Sequence, residues 1–174
     1  MKPIHRNMIP AYAASLGLTG TFVEVGVATG TFMEIVLASW PYQYIGVDRW
    51  RHVRGYDDSA NVDQEQQERR YSMCIDIAKK AGERASVLRL DSKTAAATFE
   101  DKSLDVVYID AEHTYEAVLL DIEAWAQKVR PGGLLCGHDY YNKPPFEVRR
   151  ALAAIGGPCG ITHEPGPSWW LHIG

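Results

Sequence analysis

Short runs of β-branched and aromatic residues alternate along the chain with segments whose apolar positions recur every three or four residues. The first pattern predicts buried strands and the second predicts helices that lay one face against them. After a helical segment at residues 11–16, Phe22-Val23-Glu24-Val25 runs into Gly26-Val27-Ala28-Thr29-Gly30, and residues 32–38 then take helical spacing. That is strand, glycine turn, helix. Tyr44-Ile45-Gly46-Val47 predicts a second strand ending at Asp48, followed by a polar stretch, 49–66, whose length suggests a mobile loop. Tyr71, Cys74, Ile75 and Ala78 mark one face of a helix stopped at Gly82, and residues 86–90 give a third strand ending at Asp91.

The strongest pattern follows a buried apolar strand at Leu104–Ile109. Thr114 is a good N-cap, and Tyr115, Val118, Leu119, Ile122, Trp125, Ala126 and Val129 form one apolar stripe before Pro131-Gly132-Gly133 ends the helix. Leu134-Leu135-Cys136 predicts the fifth strand, with a helix over 146–154 behind it. Residues 160–162 and 169–173 flank Glu164-Pro165-Gly166-Pro167, a link too short for a helical crossover, so they are expected to pair as an antiparallel hairpin. Alternating strands and helices without an internal repeat or linker predict one α/β domain over residues 1–174, built on a mostly parallel sheet.

Composition narrows the partners. A net charge of −4, with no basic cluster beyond Arg49, Arg51 and Arg54, argues against a nucleic-acid surface, because phosphate binding needs a concentrated basic face. Cys74, Cys136 and Cys159 are far apart and form no CxxC pair, so neither zinc nor disulfides are indicated and a reducing compartment is expected. Lys2 and Arg6 are followed by no long apolar core, and no segment reaches membrane-spanning length. A cytoplasmic protein with a small-molecule partner is the expectation.

In a parallel sheet the C-terminal ends of the strands open onto one crevice. Asp110 and His113 stand three residues apart at one such end, and Gly137-His138-Asp139 closes the next strand in the same way. Carboxylates and imidazoles from separate parts of the chain are thereby expected to meet. Gly26 and Gly30 allow a tight turn that brings helix amides near a ligand, although the dinucleotide pattern GxGxxG fails at Ala28 and Thr31. Asp48, some 20 residues after the turn, suits the two hydroxyls of a ribose. Glu24 beside the turn would repel a pyrophosphate but pair with an amine. A nucleoside bearing an amino acid fits both acids, while each acid singly also fits a helix cap or solvated turn. Trp169 and Trp170 alternate across a strand, so at most one can wall a substrate pocket. Trp50, Arg51, His52, Arg54 and Tyr56 lie in the loop after Asp48, placed either to close over a ligand or to be plainly solvated.

Residues 22–30 resemble the first motif of class I methyltransferases that use S-adenosylmethionine, and Tyr44-Ile45-Gly46-Val47-Asp48 resembles their second. Tyr108-Ile109-Asp110-Ala111-Glu112-His113-Thr114-Tyr115-Glu116, with Arg130-Pro131-Gly132-Gly133 and Gly137-His138-Asp139-Tyr140, is similar to a bacterial subgroup near the catechol and macrolide-sugar O-methyltransferases. The resemblance covers nearly the whole chain. It implies a Rossmann-like three-layer sandwich whose seven-stranded, mostly parallel sheet has an antiparallel last strand. By the same resemblance Glu24, Gly26, Ala28 and Gly30 hold the methionine part, Asp48 the ribose, and Asp91 with Ser92 the adenine, while Asp110 touches the methionine amine or a metal.

The family's middle glycine is Ala28 here, a tolerable departure. In the resembled metal-dependent enzymes the position three after the metal aspartate carries the general base, and His113 occupies it. Asp110 and Asp139 would be oxygen ligands for Mg²⁺, yet the neighbouring ligand position is His138, and imidazole is a poor Mg²⁺ ligand. Either His138 faces elsewhere, or the metal is softer, or there is no metal; a histidine that fixes its loop through a backbone bond is the plain alternative to a ligand. Asn142-Lys143-Pro144-Pro145-Phe146 resembles the NPPF-like signature of amino-group methyltransferases but is interrupted by Lys143 and follows the wrong strand. The expected function is methyl transfer to a small-molecule hydroxyl, with a homodimer compatible with a pocket that lacks a cap. The alternatives are a nicotinamide-dependent oxidoreductase and a non-catalytic S-adenosylmethionine-binding module.

Overall fold

The computed structural model describes residues 2–143 and 146–174. A single 3₁₀ turn, Arg6–Met8, leads into α1 (Ile9–Ser15). There follow β1 (Phe22–Val25), α2 (Thr31–Ser39), β2 (Tyr44–Asp48), α3 (Gln64–Ala81), β3 (Ala85–Arg89), α4 (Ser92–Ala96) and β4 (Leu104–Ile109). The chain finishes with α5 (Tyr115–Ala126), β5 (Val129–Gly137), α6 (Val148–Ala154), β6 (Gly160–Ile161) and β7 (Trp169–His172). Of the Asn142–Phe146 segment read above, Pro144 and Pro145 lie outside the described residues.

Three departures from the sequence reading have a local reason. The polar stretch expected to run to residue 66 ends earlier, because Asp63 caps α3 by accepting from the Gln66 amide at 2.8 Å. The Gln66 side chain returns the contact, donating to the Asp63 carboxylate at 2.7 Å. Five residues, Ser92–Ala96, form a helix that apolar spacing does not announce, started by Asp91, which accepts from the Thr94 amide at 3.0 Å. Val129 belongs to β5 rather than to the preceding helix: α5 stops at Ala126, and Pro131-Gly132-Gly133 is absorbed as a register shift between β4 and β5. A bulge lets a strand carry residues that would break a regular ladder.

The seven strands take the order β3-β2-β1-β4-β5-β7-β6. β1 to β5 are mutually parallel, and β7 runs antiparallel to both β5 and β6, as the short link between them requires. Alternation along the strands gives each face of the sheet its own core. Phe22, Tyr44, Tyr108 and Trp170 pack against α1, α2 and α3, while Val23, Val107, Ile109 and Trp169 pack against α4, α5 and α6. Trp169 and Trp170 are both buried, on opposite faces, so neither walls a pocket. In α5 the stripe of Val118, Ile122 and Trp125 is buried whereas Leu120 is exposed. Each such burial is worth about 2 kcal/mol, enough to fix the face that docks. No helix among the described residues is long and apolar enough to cross a membrane.

The strand order reverses between β1 and β4, which place Gly26 and Asp110 side by side. A crevice opens at such a reversal because the flanking connections leave in opposite directions.

Candidate active site

The turn after β1 forms the floor of the crevice. Gly26 has φ +92°, and a Cβ there would lie 1.9 Å from the Asp110 carbonyl oxygen, so only glycine lets β1 and β4 meet this closely. Ala28 also takes a left-handed conformation, φ 49°. Its peptide groups are held from both sides: the amide donates to Asp48 Oδ2 at 2.9 Å, and the carbonyl accepts from the buried Trp50 indole at 2.9 Å. Asp48 Oδ1 accepts from the Trp50 amide at 2.8 Å. The acid expected to meet a ribose therefore also fixes the turn, with one lone pair of each oxygen already in use.

Glu24 lies two residues after Phe22 on β1 and so points into the same buried face, where the Tyr44 hydroxyl donates to it at 2.6 Å. Burial pushes its carboxyl up to about 8; the Tyr44 bond opposes this and the Asp110 charge adds to it. An entering ammonium would reverse that balance. At the end of β3 the Asp91 carboxylate is occupied as the cap of α4, bonded to the Thr94 amide and hydroxyl. Ser92 donates to Asp121 and accepts from the Trp125 indole at 2.8 Å. Asp121 is buried, which raises its carboxyl to about 6 despite the Ser92 bond.

Asp48, Leu90, Asp91, Ser92 and Asp121 line a cleft of about 270 Å³. A second cavity of about 310 Å³ adjoins it, lined by Arg6, Glu24, Thr29, His113, Asp139 and Phe146. Gly26, Ala28, Asp58 and Asp110 line both.

His113 stands in the second cavity among three carboxylates. Its Nε2 lies 3.3 Å from Asp110 Oδ1 and 3.4 Å from Asp139 Oδ2, and its Nδ1 lies 3.5 Å from Asp58 Oδ2. The Asp58 contact is an ion pair outside hydrogen-bond alignment, because Nδ1 has no aligned acceptor. Burial alone would lower the imidazole's affinity for its proton. Asp110 and Asp58 outweigh it, with help from Asp139, and lift the value to about 9. At neutral pH this His113 is a cation. The Phe146 ring packs against it, centroids 4.8 Å apart. His138 faces the same group, its Nδ1 3.4 Å from Asp139 and 3.7 Å from Asp110. Burial would raise the Asp139 carboxyl, but the His138 bond and the two imidazole charges hold it below the usual range. Asp110, His113 and Asp139 offer ligand atoms within 4.8 Å of one another, a set with room for one cation.

The profile of the methyltransferase-domain family matches residues 23–140, from β1 to the residue after Asp139. The chain belongs to that family. Among solved structures, the methyltransferase resembles a protein described as a candidate O-methyltransferase from Klebsiella pneumoniae, at 12% identity and TM-score 0.63, over 97% of this chain and 79% of the other. It resembles a methyltransferase from Geobacter sulfurreducens at 15% identity and TM-score 0.63, over 100% and 82%. A SAM dependent methyltransferase from Aquifex aeolicus matches at 13% identity and TM-score 0.62, over 98% and 91%. At these identities the likeness establishes the class I fold and nothing finer. Among curated proteins no relative matches.

The methyltransferase brings most of the site residues read from its sequence to one crevice: Glu24, Gly26, Ala28, Asp48, Asp110, His113, His138 and Asp139 around the turn and second cavity, Asp91 and Ser92 at the far end of the cleft. Gly30 supports the turn from beneath, where a Cβ would press on Ile77 and Cys74. Three contributors, Asp58, Asp121 and Arg6, escaped the sequence reading, and a fourth, Tyr56, was read only as a loop residue placed to close over a ligand or to be solvated. Asp58 and Tyr56 arrive on the loop at 49–63, which Asn61 organises by bonding Val53 and Tyr56. Asp121 reaches the cleft from α5, one position before Ile122 of the buried stripe. Arg6 enters the second cavity from the N-terminal turn, 3.6 Å from Asp110.

Proposed function

We propose that this methyltransferase uses S-adenosylmethionine to methylate a hydroxyl of a small molecule, with His113 receiving the acceptor proton. The observation that carries the reading is the position of His113: it lines the second cavity but not the cleft, 3.3 Å from the Asp110 that walls both. The nucleoside would occupy the cleft, with Asp48 turned to the ribose and the region of Ser92 and Asp121 around the adenine. The methionyl group would follow the Gly26 turn, its ammonium facing Glu24. The methyl group would then point across Asp110 into the second cavity. There the acceptor oxygen takes the methyl as the sulfonium becomes a thioether, and its proton passes to the imidazole.

His113 in its resting form already holds a proton, so it serves as a base only after the charge around it changes. Asp110 and Asp139 stabilise the imidazolium that forms, and Phe146 keeps water from one face of the ring. With His113 kept as the base, a divalent cation would rest on Asp110 and Asp139, and the neighbouring His138 imidazole favours an ion that tolerates nitrogen over Mg²⁺. A cation held by Asp110 and Asp139 would lower the acceptor's pKa and offset the same carboxylate charge that keeps His113 protonated.

Family membership weighs against the nicotinamide alternative. The test is methyl transfer from labelled S-adenosylmethionine to a broad hydroxyl panel, with and without EDTA. His113→Ala should lose roughly 10²–10⁴-fold in turnover while cofactor affinity holds. Unchanged turnover removes His113 from the mechanism, and full activity in a metal-free sample removes the cation. Cofactor binding without transfer to any acceptor would favour a non-catalytic module.

A further inference from the structure

Arg6 is the single arginine or lysine lining the second cavity among the described residues. It stands in a space otherwise dominated by acids: Glu24, Asp58, Asp110 and Asp139 line it too. Its backbone is fixed in place, since the Arg6 amide donates to Glu164 Oε1 at 2.8 Å and the His163 amide donates to the Ile4 carbonyl at 3.0 Å. Glu164 sits in the link between β6 and β7 and also accepts from Ser168, which in turn bonds the Tyr108 hydroxyl of β4 at 2.8 Å. An arginine near the chain start is thus referenced to the central sheet.

The guanidinium has no hydrogen bond among the described residues. It has an ion-pair contact with Asp110 at 3.6 Å, and its carbon lies 5.1 Å from the Phe32 ring centre. A planar fork of five donors, partly desolvated and unbonded, is suited to a carboxylate that it can grip with two parallel bonds. An α-amino acid carries both an ammonium and a carboxylate. In a cavity where Glu24 faces the ammonium, the carboxylate would meet uncompensated negative charge unless a cation faced it.

We propose that Arg6 binds the carboxylate of the cofactor's methionyl group and so makes the site specific for a ligand bearing a complete amino acid. This rests on the S-adenosylmethionine reading above. Arg6 then exchanges its loose contact with Asp110 Oδ2 for a paired one with the ligand, while Asp110 Oδ1 keeps facing His113.

The test compares S-adenosylhomocysteine with 5′-methylthioadenosine, which keeps the nucleoside and thioether but has no amino acid. Calorimetric titration of the whole protein and of Arg6→Gln and Arg6→Lys, each checked for an unchanged melting temperature, separates the two ligands. Arg6→Gln should weaken S-adenosylhomocysteine roughly 10- to 100-fold and leave 5′-methylthioadenosine within about twofold. Arg6→Lys should fall between, keeping charge but losing the fork. If S-adenosylhomocysteine is unaffected, or both ligands weaken equally, Arg6 does not read the carboxylate. Failure of the wild-type protein to bind either ligand overturns the cofactor reading itself.

Discussion

Gly26→Ala tests how the two central strands are joined at the site. A Cβ at this position would lie 1.9 Å from the Asp110 carbonyl oxygen and 2.9 Å from the Ala111 Cα, both backbone atoms that no rotamer change can move. An unstrained carbon–oxygen approach is about 3.3 Å, so the ends of β1 and β4 must part by roughly an ångström or more. Overpacking of this kind costs about 1–3 kcal/mol, and a left-handed backbone for alanine adds about 1–2 kcal/mol. A total near 3 kcal/mol lowers the melting temperature by roughly 6–12 °C in a domain of this size. Gly17→Ala is the control: φ is +79° there as well, but nothing lies within 4 Å of the added carbon. It should cost only the backbone strain of about 1–2 kcal/mol, roughly 2–8 °C. Calorimetric melting of both variants, with S-adenosylhomocysteine titrations well below either transition, reads the difference. Because Asp110 moves with its carbonyl, Gly26→Ala should also weaken that ligand at least about tenfold. Equal melting shifts for the two variants, with ligand affinity intact, would refute the close approach as the reason for glycine.

Two further outcomes follow from the charges. Glu24→Gln keeps the size of the side chain but cannot become an anion. Since the native carboxyl titrates near 8 and its ordinary value is 4.5, the native state holds a proton that the unfolded chain releases between those values. Stability of the ligand-free protein should therefore fall as pH rises through that window, and the variant should lack this component; parallel urea-denaturation profiles for the two proteins at pH 5 and pH 8 would contradict it. In chelated enzyme, kcat/KM should climb with pH toward a limb near 9, the value to which Asp110 and Asp58 raise His113, and added divalent cation should move the limb to lower pH. A chelated limb at 6.5, or one that survives His113→Ala, would show that another group titrates.

The sheet was legible in the sequence because its strands are short apolar runs punctuated by Gly, Asp and Pro, and because the stripe of α5 repeats at helical spacing over three turns. Helices whose buried face is narrow were less so. α3 is largely polar in its first two turns, so hydrophobic spacing alone delays its start, although Asp63 with Gln66 carried a capping signal. α4 is too short to show periodicity and is visible only through Asp91 with Thr94. Val129 satisfied a helical stripe and a strand equally well, and the register shift opposite β4 decided between them. In the site, residues at strand ends could be located from topology, whereas Asp58, Asp121 and Arg6 could not. Their approach depends on loop closure, on the rotation of α5 and on the docking of the N-terminal turn, none of which has a periodic signature.

Ala28 illustrates why a departure from a motif need not alter the site that the motif builds. The turn requires a left-handed residue between Gly26 and Gly30, and alanine adopts that conformation at a cost of about 1–2 kcal/mol. Here its amide is bound by Asp48 and its carbonyl by Trp50, two charge-assisted or well-aligned bonds of 2.9 Å that can offset that cost. Trp50 itself has φ 38°, a conformation held by the Asp48 carboxylate and by burial of its ring against Tyr71. Asp48 is thus the common support of both strained residues. A ligand that draws on the remaining lone pairs of Asp48 acts on a carboxylate whose orientation is already set, so little ordering remains to oppose binding. The same coupling makes Asp48 a poor residue for isolating ribose recognition by mutation, because its removal would release the turn together with the ligand.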